Sequence, residues 1–326
     1  MRVRIISFTE KGYALAEKMA AALTDHDAQA VPRGTSAAQI CREAFRDRDA
    51  LVFIGAAGIA VRSIAPYLKD KLTDPPVIVI DEEGRFAVPI LSGHMGGANE
   101  LALAVAGSIG AQPVLTTATD VSGAFSVDLF AKENGLRIVN REGIAKVSSS
   151  ALSGKAVTIC IKDFPPETQT DVLITDDIIS EGSEEFRSMA SIVLCPKKYA
   201  LGVGCRRGKS FSELRAFAEK VLEDNGIDIS DVGAVATIDV KKDEEGIIRL
   251  SEYLRAPLIT FEASVLAKVP GSFSSSERVL RAVGVDNVCE RAAAAAAGRD
   301  HELAVKKTAA DGMTIAVALR KSQAGN

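Results

Sequence analysis

Along the first hundred residues, short unbroken apolar runs alternate with stretches whose apolar positions recur every three or four residues. "VRIISF" near the start predicts a strand, and Ala14, Leu15, Met19 and Leu23 within residues 11–23 follow at near-helical spacing. "ALVFIG" at 50–55 is apolar at every position, as in a parallel strand covered on both faces. It breaks at Gly55-Ala-Ala-Gly58 and leads into a predicted helix to about Leu68. "PVIVID", the turn "EEGR" and "FAVPIL" read as a hairpin. The loop "SGHMGGAN" then opens an alanine-rich helix from about Ala98 to Ile109, and "QPVLTTATD" adds a strand and a polar loop.

From about Ala124 the pattern weakens to short strands at "RIV", "AVTICI" and "DVLIT". Regular alternation resumes at Tyr199: strand "YALGVGC", helix "SFSELRAFAEKVLEDNG", strand "VGAVATIDV", helix "KDEEGIIRLSEYLR", strand "PLITF". Three further helices follow, the last ending in six alanines at 292–297, before strands at "ELAVKKT" and "MTIAVAL". Gly226 and Gly298 stand where helices end on glycine. The fold class predicted is α/β: two α/β domains with mainly parallel sheets, 1–123 and 198–326, flanking a small middle α/β domain, 124–197.

Composition narrows the function classes. There is no Trp and only four Tyr, and the net charge is −4, so neither base-stacking platforms nor a broad basic face for nucleic acid is expected. No apolar run approaches the ~20 residues of a membrane helix, and the start turns polar too soon for a signal peptide. Cys41, Cys160, Cys195, Cys205 and Cys289 are scattered, odd in number and never in C-x-x-C, which predicts reduced thiols, no zinc site and a cytoplasmic setting.

In open α/β sheets, ligands bind at the carboxyl ends of strands. Three polar loops are candidates on that rule: Gly55 to Arg62, Ser92 to Glu100, and Thr116 to Asp120. The second is the richest. Gly93, Gly96 and Gly97 allow a ligand close to the backbone, and the following helix offers N–H groups to an anion. His94, one of three histidines, titrates near neutrality and suits acid–base work. Asn99 and Glu100, in the first helical turn, either bind ligand or cap the helix. Arg62 has the geometry to clamp a carboxylate. Asp81 either tops its strand and orients His94 or only forms a turn.

The stretch "LGVGCRRGKSF" at 201–211 imitates a phosphate loop without being one. Gly208-Lys209-Ser210 supplies the end of that motif, but its first glycine should fall on Val203, and the glycines are Gly202 and Gly204. Arg206, Arg207 and Lys209 surround this turn; Asp239, Lys241 and Glu244 follow a later strand.

Taken in order, "GIAVRSIAP", "KDKLTDPPVIVIDEEGRFAVPILSGHMGGANELA", "LGVGCRRGKS", "ATIDVKKDEEGI" and "VGVDNVCERAAAAAAG" resemble the cobalt-precorrin-5A hydrolase family (CbiG) of anaerobic cobalamin biosynthesis. The likeness spans nearly the whole chain and is weak over 125–197. The last segment also resembles the stand-alone protein CobE. The resemblance implies hydrolysis of a δ-lactone on a cobalt-containing contracted tetrapyrrole, with release of acetaldehyde. It implies no cofactor, because the cobalt is part of the substrate, and pathway methyltransferases as possible partners. In that setting His94, with Asp81, would be catalytic, and the Gly96 and Gly97 amides would hold an oxyanion. Gly58, Arg62, Ser92, Gly93, Asn99, Glu100, Arg206, Lys241 and Glu244 would contact the many-carboxylate substrate. A non-catalytic corrinoid escort is the alternative.

Overall fold

Strands β1 (Arg2–Ser7), β3 (Ala50–Ile54) and β4 (Val77–Ile80) form the centre of the first sheet, and β3 and β4 are buried at every residue. The computed structural model describes residues 1–70, 73–116, 122–161, 169–175 and 190–321. These residues group into two compact units, Met1–Lys132 with Glu142–Val157, and Glu133–Arg141 with Thr158 onward. The middle segment, 124–197, is divided between them.

In the first unit the strand order is β2-β1-β3-β4-β5-β6, with β2 at Asp27–Ala30, β5 at Phe86–Leu91 and β6 at Gln112–Pro113. The strands β2, β1, β3 and β4 run parallel, and β3 is the all-apolar run whose pattern predicts it. Helix α1 (Glu10–Ala22) begins where the Thr9 hydroxyl accepts the Gly12 N–H. β2 and α2 (Ala37–Asp47) lie in a stretch for which no element is predicted, although Ile40, Cys41 and Ala44 give α2 a buried stripe and Ser36 caps it. Helix α3 (Ala57–Ile64) follows β3 and continues as a single 3-10 turn to Tyr67.

The hairpin decides where the candidate loops go. β5 pairs antiparallel with β4, Val77 opposite Leu91 and Ile80 opposite Ala87. β5 therefore leaves the sheet at the edge where its parallel neighbours begin. β6 runs parallel to β5 and points to that same edge. The loop entering α4 (Ala98–Ile109) thus lies across the sheet from the loop entering α3, roughly 15 Å away at strand rise.

The second unit holds two sheets. Strands β7 (Leu136–Ile138), β8 (Ile159–Ile161), β9 (Thr170–Ile174) and β10 (Ala190–Pro196) pair in the order β7-β10-β9-β8. Around them in sequence are α5 (Val127–Glu133) and α6 (Glu142–Leu152), which lie mostly in the first unit. The other sheet has the order β13-β12-β11-β15-β14: β11 (Tyr199–Cys205), β12 (Val232–Ile238) and β13 (Leu258–Phe261) are parallel, and β14 (His301–Ala310) with β15 (Met313–Arg320) closes it as an antiparallel hairpin. Helices α7 (Phe211–Asp224), α8 (Glu245–Leu254), α9 (Ala263–Ala267), α10 (Glu277–Val283) and α11 (Cys289–Ala297) complete it.

The six-alanine run and Gly202 explain each other. A Cβ on Gly202 would sit 1.9 Å from the Cys289 carbonyl oxygen and 2.8 Å from the Ala293 nitrogen. The α11 backbone rests directly on β11, and only small residues permit that approach: Ala292, Ala293 and Ala294 are wholly buried.

Candidate active site

The β5–α4 loop is folded by its own carbonyls. The N–H groups of Gly97, Ala98 and Asn99 donate to the oxygens of His94, Ser92 and Gly93, each at 3.1 Å. Ser92 has φ +56° and Gly97 φ +85°, the latter at the N-cap of α4. A Cβ on Gly96 would fall 2.4 Å from the Ser92 Cβ, so a side chain there would break the turn. The Gly93 backbone lies against the Asn99 amide, and Asn99 is buried. The Ser92 hydroxyl donates to the Asp74 carbonyl at 2.9 Å, which ties the loop to the start of β4. These bonds correct the expectation that the Gly97 amide and the start of α4 are open to an anion; the Ala98 and Asn99 N–H groups are taken, while among the described residues the Gly96 N–H, like those of Gly93, Met95 and Glu100, has no acceptor.

This turn delivers His94 to the first turn of α5. Its Nδ1 lies 3.3 Å from the Ser126 Oγ and 3.6 Å from the Asp128 Oδ2, with both His94 and Asp128 side chains only 11% exposed. Ser126 donates to the other oxygen of Asp128 at 2.5 Å. Burial by itself would raise the Asp128 carboxyl, but hydrogen bonds from His94 and Ser126 prevail and hold it at about 2. The carboxylate is therefore charged throughout the neutral range. It favours the tautomer with its proton on Nδ1, which places the imidazole lone pair on Nε2.

Asp81 does not orient His94. It stands at the far end of β4, where its carboxylate accepts the Arg85 and Phe86 N–H groups, each at 2.7 Å, and the Arg85 Nε at 3.2 Å. It is the turn former of the hairpin. Gly58 and Arg62 lie on that same far edge, and Arg62 is exposed with its guanidinium on the Gly58 carbonyl at 3.2 Å. They follow the carboxyl end of β3, as the rule requires; it is the His94 loop that the antiparallel β5 carries to the opposite edge. Glu100 is exposed beside Lys132, at 3.4 Å. Of the third loop, Thr117–Asp120 lies outside the described residues.

In the second unit, the "CRRGKS" turn holds a carboxylate where a phosphate loop would hold phosphate. The Gly208 N–H donates to Glu244 Oε2 at 3.1 Å, and Lys241 Nζ meets Glu244 Oε1 at 2.8 Å. Lys209 pairs with Glu213, and Ser210 with Glu213 forms the capping box of α7. Lys209 and Lys241 are thus neutralised by Glu213 and Glu244. Arg206 emerges from the turn, exposed, its side chain against Gly312.

The family models for the cobalamin synthesis G N-terminal and C-terminal regions match residues 39–120 and 199–318. A cobalt-precorrin-5A hydrolase of Salmonella typhimurium is 33% identical over 89% of this chain and 90% of its own length. The chain belongs to this cobalamin synthesis G family. The cobalt-precorrin-5A hydrolase of Priestia megaterium is 32% identical over 84% of the chain and 79% of the relative. The protein CobE of a Sinorhizobium species matches at 33% over 36% of the chain and 77% of its own length.

Within this family member, the structure brings together His94, Ser92, Gly93, Gly96, Gly97 and Asn99 from the predicted set and adds Ser126 and Asp128. Those two lie beyond the matched N-terminal region, in a stretch whose periodicity is weak. The signal available was a serine two residues before an aspartate at a helix start, and Ser126 does occupy a capping position, its carbonyl accepting the Phe130 N–H at 3.0 Å. Such a pattern ordinarily only caps. The arrangement suits base catalysis: an oriented imidazole in a loop held by its own hydrogen bonds.

Proposed function

We propose that this chain opens the δ-lactone of cobalt-precorrin-5A with water and releases acetaldehyde, giving cobalt-precorrin-5B. The observation that carries the reading is the His94 Nδ1 set against Asp128 and Ser126, in a member of the family whose relatives bear that name. The His94 Nε2 takes a proton from water as the water oxygen adds to the lactone carbonyl. The Gly96 N–H is a donor for the developing oxyanion. As the ring C–O bond breaks, the imidazolium returns the proton to the departing oxygen, leaving a free carboxylate and an alcohol on the two-carbon fragment. Loss of the alcohol proton then lets that oxygen form the acetaldehyde carbonyl while the adjacent carbon–carbon bond breaks. The electron pair passes into the macrocycle, which takes up a proton.

Both steps are redox-neutral, so the reading calls for no redox cofactor, and the cobalt arrives within the substrate. Asp128 takes the orienting role first assigned to Asp81. The product would pass to the methyltransferases of the pathway, in the cytoplasm; among the described residues no helix is long and apolar enough to cross a membrane.

The test is His94→Ala, assayed for acetaldehyde from the cobalt lactone. Turnover falls by about 100-fold or more if the imidazole is the base, while the melting temperature stays near that of the parent. Acetaldehyde at the parent rate removes His94 from the mechanism.

A further inference from the structure

Just before His94 the chain departs twice from the geometry of a regular hairpin. The β4–β5 ladder is in register from Ile80 opposite Ala87 to Ile78 opposite Pro89, but Val77 then faces Leu91, so β5 holds one extra residue. A bulge of this kind bends its strand and re-aims the side chains beyond it. One residue past the ladder, Ser92 has φ +56°. A serine is strained there because its Cβ crowds the following carbonyl oxygen, and glycine would relieve it. Strain of this sort persists only where neighbouring contacts over-determine the backbone, and it gathers at functional sites.

The contact that fixes Ser92 is the bond from its hydroxyl to the Asp74 carbonyl, 2.9 Å long. Asp74 is a firm anchor. It is 5% exposed; its carboxylate accepts the Lys69 and Asp70 N–H groups at 3.1–3.2 Å, and its own N–H donates to the Asp70 carbonyl at 2.8 Å. This buried carboxylate has no part in the chemistry set out above. It closes the turn entering β4 and so presents the Asp74 carbonyl at one place.

Ser92 also governs the loop that follows. Its carbonyl accepts the Ala98 N–H at 3.1 Å, and its Cβ lies 2.4 Å from where a Cβ on Gly96 would stand. His94 is two residues from this pivot, and its Nδ1 has little room to spare: 3.3 Å to the Ser126 Oγ and 3.6 Å to the Asp128 Oδ2. A displacement of about 1 Å takes the imidazole out of reach of both.

We propose that Ser92, tethered to Asp74, is a positioning residue that aims the His94 imidazole at Asp128. This rests on the reading of His94 as the base. With its hydroxyl committed to Asp74, Ser92 acts on the reaction through His94 and does not touch substrate.

The test compares Ser92→Gly with Ser92→Ala in the full-length chain. Both delete the tether, but glycine also relieves the left-handed backbone. Were the tether only a support of the fold, turnover would follow stability and the glycine variant would be the better enzyme. The expected order is different. Ser92→Ala melts about 2–4 °C below Ser92→Gly. The kcat for acetaldehyde release nevertheless falls about 10- to 100-fold in both, at least as far in Ser92→Gly, with little change in KM.

The imidazole is also read without substrate, by 15N NMR at a pH where it is neutral, with the His94 signals identified by their loss in His94→Ala. In the parent the proton sits on Nδ1; in both variants it moves toward Nε2 as the ring leaves Asp128. An unchanged tautomer in Ser92→Gly overturns the proposal at any level of turnover, and so does a glycine variant more active than the alanine one. A shifted tautomer with parental turnover leaves Ser92 as the residue that aims the imidazole and removes His94 as the base, as would parental turnover in His94→Ala.

Discussion

Asp128→Asn tests the core of the mechanism, because the change is nearly isosteric and removes only the charge. Holding the Asp128 carboxyl at about 2, against an ordinary 3.8, favours its charged form by about 2 kcal/mol. A depressed carboxyl contributes stability that is present above its unfolded value and lost as pH falls through its folded one. The melting-temperature gap between parent and variant is therefore full at neutral pH and closes between about pH 4 and 2. The effect on turnover is larger. An asparagine amide can donate to Nδ1 and so place the imidazole proton on Nε2, where no lone pair remains to receive a proton from water. Acetaldehyde release drops about 100-fold or more in kcat with little change in KM, and the pH–rate profile changes its limb at the histidine. Asp81→Asn is the control: that carboxylate lies at the far edge of the sheet and only holds a turn, so turnover stays within about two-fold while the hairpin loses about 1 kcal/mol. Parental kcat and an unchanged pH profile in Asp128→Asn would refute the orienting role.

Two further outcomes probe the scaffold of the second unit. Gly202→Ala forces a methyl to 1.9 Å from the Cys289 carbonyl, so α11 must lift from the sheet; the expected loss is about 3 kcal/mol, seen as a melting temperature lower by about 10 °C, and an unchanged melt would contradict the packing. Cys289, buried and pushed up to about 11, resists iodoacetamide at pH 8 in the folded chain and reacts in urea, as mass spectrometry of its peptide would report; rapid labelling of the native protein would count against its burial.

The alternation of apolar runs with helical periodicity was enough to reveal the α/β class, the strands at 50–54, 77–80 and 199–205, and the helix at 98–109, since burial on both faces of a sheet leaves a local imprint on composition. The glycine loop around His94 was visible for the same reason: Gly96 and Gly97 answer local demands, a close approach and a positive φ. The missed α2 shows the limit of that imprint, for its three buried residues are few among charged neighbours. Local pattern therefore dictates which segments form strands, helices and tight turns. Which turns share an edge was decided only in three dimensions. One antiparallel strand, β5, carries the His94 loop away from Asp81, Gly58 and Arg62, and the return of the chain through β6 brings Ser126 and Asp128 to it from more than thirty residues away. Pairing direction depends on hydrogen bonds between distant segments, and a hydrophobic pattern records only that a strand is buried, not which way its neighbour runs.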